Sequence, residues 1–157
     1  MKLGIASDHR GYHLKEEIIN NLKDKIDIVD FGTDSEESTD YPDYAFKLGR
    51  NLAIGMVDLG VAICGSGIGI SIACNKVKGI RCAKVDSVED VKATRIDNDA
   101  NIIAFGEKTP LEDAIKYIEV FINTPCSMEE KHVRRRNKIK EFEESNKWHL
   151  NLSYIFV

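Results

Sequence analysis

The stretch from Val57 to Asn75, V-D-L-G-V-A-I-C-G-S-G-I-G-I-S-I-A-C-N, decides the fold. Leu59 to Ile63 is a short apolar run without helical period, the pattern of a strand buried on both faces, as in a parallel sheet. Gly65, Gly67 and Gly69 then alternate with Ser66 and Ile68, so the backbone can take positive φ and come close to a ligand. A helix is expected to follow through Ile70, Ile72, Ala73 and Asn75. Strand, glycine turn and helix N-terminus aim free N–H groups at one spot, where an anion or a developing oxyanion would sit. Cys64 lies at the hinge. A thiol, with an ordinary pKa of about 8.5, ionises more easily beside a helix N-terminus, which suits a nucleophile or a proton-abstracting base. The competing reading is a buried structural cysteine, and the glycines and serine beside it weigh against that.

The same turn argues against two nucleotide motifs. G-S-G-I-G has its third glycine one residue early for a dinucleotide fingerprint and follows the third predicted strand, and the phosphate-loop pattern is absent. No nucleotide cofactor is expected.

Working outward, apolar runs and helical stripes alternate along the whole chain. Leu3 to Ser7 reads as the first strand, ending at Asp8-His9-Arg10-Gly11, and Leu14, Ile18 and Leu22 mark the helix behind it. Ile26 to Phe31 is the second strand. Pro42 fits the first turn of the next helix, with Ala45, Leu48, Leu52 and Ala53 facing inward. Ile80 to Val85 and Ile102 to Phe105 are the fourth and fifth strands. Ser87 with Asp90 caps the helix between them, running to about Ile96. Thr109-Pro110-Leu111-Glu112 reads as a capping box with proline at the first helical position, opening a helix through Phe121. Ser127 with Glu130 reads as another, opening a last helix to about Ser145.

Five strands alternating with helices predict an α/β, Rossmann-like three-layer sandwich: a five-stranded parallel sheet with helices on both faces. Ligands bind such sheets beyond the strand C-termini, where strand order reverses. If the first and third strands are neighbours, Asp8-His9 and Cys64 with its glycine turn meet at that point.

Hydrophobic content of 43% and charged content of 31% fit a globular chain whose core is a single domain, residues 1–145. No run approaches the roughly 20 apolar residues of a membrane helix, and the N-terminus opens directly as a strand. A cytoplasmic protein, with no membrane partner, is expected. The net charge of -4 argues against nucleic acid as a partner. Positive charge is nevertheless concentrated at Lys131, His132, Arg134, Arg135, Arg136, Lys138 and Lys140, a run that reads first as a solvated helix face. The four cysteines, Cys64, Cys74, Cys82 and Cys126, lack C-x-x-C spacing and suggest neither disulfides nor a metal site. The tail 146–157, W-H-L-N-L-S-Y-I-F-V from Trp148, alternates apolar residues. An edge strand, a subunit contact and a loose end all fit it, and its apolar density favours a contact.

These residues resemble the ribose-5-phosphate isomerase B family, which includes galactose-6-phosphate and allose-6-phosphate isomerases. The matching motifs are D-H-R-G from Asp8, F-G-T from Phe31, T-D-Y-P from Thr39, C-G-S-G-I-G-I-S-I-A-x-N-K from Cys64, G-I-R from Gly79, N-D-A-N-x-I-A-F-G from Asn98 and K-H-x-x-R from Lys131. The resemblance implies metal-free, cofactor-free isomerisation of a sugar phosphate in the pentose phosphate pathway, through a cis-enediolate. It implies Cys64 as the base that moves the C2 proton to C1, with Ser66 and the amides of Gly65, Gly67, Ile68 and Gly69 holding the enediolate oxygen. Asp8 and His9 would bind sugar hydroxyls and assist ring opening, with Asn98 nearby and Tyr41 lining the cleft from a second subunit. Lys108, Lys131 and Arg135 match phosphate-binding positions, although the first two are arginines in the family. A homodimer, or a dimer of dimers, with shared sites is implied.

The main departure is Asp97. The family pattern R-x-H-N-D has a ring-opening histidine where this chain reads Arg95-Ile96-Asp97-Asn98-Asp99. An aspartate of ordinary pKa, about 3.9, cannot donate at neutral pH. Either Asp97 is held protonated, or His9 or a water takes over, or the chain is slow, altered in substrate or a silent binder. His9 is the favoured substitute. A six-carbon aldose 6-phosphate is an alternative substrate. A thiol hydrolase is a further alternative, without a histidine close in sequence to pair with Cys64.

Overall fold

Strands that are apolar on both faces need a helix layer on each side, and the computed structural model has that architecture. It describes residues 1–145, so the expectation for the tail 146–157 lies outside the described residues. The elements are β1 (Lys2–Ser7), α1 (Tyr12–Leu22), β2 (Asp27–Asp30), α2 (Tyr41–Ala53), β3 (Leu59–Cys64), α3 (Ile68–Cys74), β4 (Cys82–Lys84), α4 (Val88–Asn98), β5 (Ile102–Gly106), α5 (Leu111–Asn123) and α6 (Glu130–Glu144).

All neighbouring strands are parallel, in the order β2-β1-β3-β5-β4. β1 and β3 are therefore side by side, and the crossovers that leave them, β1 to β2 and β3 to β4, run in opposite directions. The switch point lies between them. β5 enters between β3 and β4, so Cys64 is in register with Gly106.

Alternation along the strands divides the core. Leu3, Ile5, Val61, Ile63, Ile103 and Phe105 point to α1, α4 and α5. Ala6, Ala62, Cys64 and Ala104 point to α2 and α3. Small side chains on the second face let α2 and α3 sit close to the sheet, and they put the Cys64 thiol on the α3 side. Helix α6 leans on α4: the Ser127 amide donates to Ile96 O at 2.8 Å, and Arg136 Nη1 donates to Asp97 O at 3.3 Å.

Local details correct several sequence expectations. The edge strands β2 and β4 are shorter than the apolar runs because each pairs on one side only. Ala53 is exposed, and the buried face of α2 is Ala45, Leu48 and Gly49. Pro110 is the N-cap of α5 and not its first helical residue: its carbonyl accepts from Ala114 N, and no side chain caps the end. Ser127 makes no capping box either, since its Oγ accepts from Glu129 N two residues on, and Glu129 is the N-cap of α6. Ser87 does cap α4, accepting from Asp90 N at 3.0 Å. Asn75 is the C-cap of α3.

Lys15 of α1 has a fully buried side chain. Its ammonium bonds Asp30 of β2 and Glu16, and lies 5.5 Å from the Tyr12 ring centroid. Burial pulls its pKa down, but the bonds to Asp30 and Glu16 outweigh that and raise it above 10.5. A raised cationic pKa contributes stability fully below the unfolded value and loses it as pH rises through the folded one. Lys15→Met is therefore expected to cost about 2 kcal/mol at neutral pH, or roughly 5 °C in Tm. The deficit should be constant from pH 6 to 9, as thermal melts at several pH values would read.

Candidate active site

At the C-terminal ends of β1, β3 and β5 three turns converge. The β1 turn carries Asp8, which is 4% exposed. Its Oδ1 accepts from the amides of Arg10 and Gly11 at 3.0 and 3.1 Å, leaving Oδ2 for a ligand. His9 Nδ1 lies 3.2 Å from both the carbonyl oxygen and the nitrogen of Thr39, which fixes the ring. Nε2 has no partner among the described residues.

The β3 turn holds the thiol. Cys64 is buried, and Gly67 N donates to its Sγ at 3.2 Å. Gly67 is the one residue of the turn at positive φ, 77°. This narrows the expectation for the three glycines: Gly65 and Gly69 have ordinary φ. Gly69 instead lets the Tyr41 ring approach, since a Cβ there would stand 2.8 Å from Tyr41 Cζ. Tyr41 makes this contact within its own chain. Ile68 N donates to Ser66 Oγ at 3.2 Å, so the serine hydroxyl keeps its hydrogen for another acceptor. The amides of Gly65, Ser66 and Gly69 donate no hydrogen bond among the described residues. They remain available to an oxyanion.

The β5 turn brings Glu107 and Lys108. Glu107 N donates to Cys64 O at 2.9 Å. Lys108 lines an open depression of about 380 Å³ with Gly65, Ser66, Gly106 and Thr109.

One chain thus brings together Asp8, His9, Tyr41, Cys64, Gly65 to Gly69 and Lys108. It does not bring Asp97, Asn98, Lys131 or Arg135. α4 descends from the strand C-termini, so Asp97 and Asn98 lie where β5 begins, and β5 separates them from Cys64 by roughly 13 Å. There Asp97 Oδ1 is 3.6 Å from Nε2 of His132, which is buried. Lys131 is exposed and pairs with Glu129 at 3.0 Å. Arg135 is exposed, with no acidic partner among the described residues.

His132 and Arg136 are contacts the sequence reading did not single out. Four residues apart, they share the helix face that meets α4. The neighbouring register, Lys131 and Arg135, is the one the basic run drew forward.

The class that these features define is an α/β protein with a thiol and an anion cradle at the switch point of a parallel sheet. Residues 3–139 match the ribose/galactose isomerase family. The chain belongs to that family. Ribose-5-phosphate isomerase B of Escherichia coli is 43% identical over 108 residues, 68% of this chain and 72% of the relative. The solved ribose-5-phosphate isomerase B of Clostridium thermocellum is 43% identical with a TM-score of 0.87, covering 91% of this chain and 97% of its own. That of Mycoplasma genitalium, with bound ribulose-5-phosphate, is 34% identical with a TM-score of 0.85, covering 92% and 97%.

Proposed function

We propose that the chain interconverts D-ribose 5-phosphate and D-ribulose 5-phosphate, a step of the non-oxidative pentose phosphate pathway. The observation that carries the reading is the Gly67 amide on a buried Cys64 thiol, beside Asp8 and free amides, in a chain of this family. Cys64 as thiolate takes the C2 proton of the open-chain aldose. The amides of Gly65, Ser66 and Gly69, with the Ser66 hydroxyl, hold the enediolate oxygen. Cys64 returns the proton to C1, giving the ketose. Asp8 Oδ2 binds a sugar hydroxyl.

The reading also calls for a second copy. Each chain carries two half-sites at opposite ends of its sheet: Cys64, Asp8 and His9 at one, and Asp97, Asn98, Lys131 and Arg135 at the other. A two-fold dimer that sets one half against the other completes two sites at once. Ile68 and Ile72, 54% and 56% exposed beside the thiol turn, suit such a contact. Sedimentation of the purified protein tests it. The four free thiols fit a reducing compartment such as the cytoplasm.

The test of the activity is conversion of ribose 5-phosphate by the purified protein, with allose and galactose 6-phosphates alongside. Turnover confined to a six-carbon substrate would transfer the reading to that sugar. No turnover of any would leave a sugar-phosphate binder.

Ring opening is assigned to His9, held by Thr39 in the cleft. Asp97→His should then supply a second acid and raise turnover of cyclic ribose 5-phosphate about ten-fold. Solvent exchange of the ribulose 5-phosphate C1 proton, which needs no ring opening, should change less than two-fold. Equal gains in both would tie Asp97 to proton transfer at carbon. Unchanged ring-opening-limited turnover in His9→Ala would remove His9 from the role.

A further inference from the structure

The thiol turn at the end of β3 is crossed by an ion pair that the chemistry above does not use. Arg10 follows Asp8-His9 at the end of β1, and Glu107 follows Gly106 at the end of β5. These strands flank β3 on either side. Arg10 Nε lies 3.0 and 2.9 Å from the two Glu107 carboxylate oxygens, and Arg10 Nη2 bonds the same group. The guanidinium therefore makes a forked contact, which fixes geometry as well as charge.

Both ends of the pair are anchored in the site. The Arg10 amide donates to Asp8 Oδ1 at 3.0 Å. The Glu107 amide donates to the carbonyl of Cys64 at 2.9 Å. Between them the Arg10 side chain passes over Gly65, where a Cβ would meet its Cγ at 3.9 Å. The Glu107 carboxylate is 20% exposed although it sits at the rim. The bond from Arg10 holds its pKa below the ordinary carboxylate range, with Lys108 and His9 adding to the effect. Arg10 in turn has its pKa raised by that bond. Both partners are therefore charged around neutral pH.

We infer that Arg10 and Glu107 act together as a positioning pair, a strap over Gly65 that holds the Asp8-His9 turn in register with the Cys64–Gly67 turn. Neither reaches the reacting carbons. The strap fixes the distance between the sugar-binding carboxylate and the base, and it shields the thiol from the open side of the cleft. This rests on the reading of Cys64 as the catalytic base, but one of its consequences, the access of small reagents to Cys64, does not.

The experiment is a double-mutant cycle with Arg10→Gln, Glu107→Gln and the double variant, each checked for an unchanged thermal transition. Each single substitution should lower kcat about five- to ten-fold with KM within two-fold, because a misplaced base impairs the transition state more than binding. The double variant should be no worse than either single one, since the partners act as a unit. Arg10→Lys, which keeps the charge and loses the fork, should recover only part of the loss. Alkylation of Cys64 by iodoacetamide, followed by peptide mass, should speed up several-fold in all three glutamine variants.

Losses that add in the double variant would overturn the strap, as would a rise in KM at unchanged kcat, which would make Arg10 a substrate ligand. Should the wild type turn over no sugar phosphate, the isomerase reading fails and alkylation alone decides. Coupled acceleration would sustain the strap, and an unchanged rate would end it.

Discussion

Cys64→Ala should lower isomerisation about a thousand-fold while KM for the sugar phosphate moves little. A positioned base contributes about 10²- to 10⁴-fold. The thiol is buried, receives the Gly67 amide at 3.2 Å, and has its own carbonyl tied to Glu107 N at 2.9 Å. Alanine keeps that backbone and removes only the sulfur. The other polar groups of the cleft are untouched, so the loss should fall on kcat. Cys64→Ser should be nearly as impaired, because a hydroxyl is far less acidic than a thiol and supplies little conjugate base near neutral pH. Assays of the three proteins with ribose 5-phosphate, and of C1 proton exchange in ribulose 5-phosphate, make the check. Activity within ten-fold of wild type in Cys64→Ala would move the base elsewhere. Asp8, with Oδ2 unbonded in the same cleft, would be the next group to test.

The fold was largely legible in the chain, and the reason is the sheet. β1, β3 and β5 are interior, so their residues are apolar on both faces and stand out as unbroken runs. β2 and β4 are edges, and their expected runs overreach the paired segments by one or two residues at each end. Helix starts were harder to fix. Thr109 and Ser127 each stand three residues before a glutamate, as a capping box requires, yet the entering chain turns so that Pro110 and Glu129 are the caps.

The thiol half of the site was legible because strand, turn and helix are contiguous in sequence. The remainder depends on topology. Arg95-Ile96-Asp97-Asn98-Asp99 closes a crossover helix, which in a parallel sheet ends where the next strand begins, at the end away from Cys64, and no local motif marks that distance. Side-chain pairs across elements were hidden for the same reason. Arg10 and Glu107 are 97 residues apart, and the partner of Asp97 is buried in a run whose composition suggests a solvated face.

Gly67→Ala should disable both the fold and the chemistry, for one geometric reason. Gly67 sits at φ 77°, and a Cβ there would stand 2.7 Å from the Phe105 carbonyl carbon and 2.8 Å from its Cα. Those atoms are the backbone of β5, in the middle of the core, and cannot swing aside as a side-chain tip could. The turn must lift off β5, which takes the Gly67 amide away from the Cys64 sulfur. Left-handed backbone in alanine costs about 1–2 kcal/mol, and the clash brings the total to about 4 kcal/mol, a large share of a typical stability. A fall in Tm of about 10 °C and a loss of about a hundred-fold in kcat are expected. Gly79→Ala separates the two causes. Gly79 has φ 82° with nothing within 4 Å of its Cβ position. It should lose only the backbone contribution, about 1 kcal/mol, and keep wild-type turnover. If calorimetry and assay found the two variants alike, close approach to Phe105 would not be what holds the thiol turn, and the placement of the Gly67 amide would need another cause.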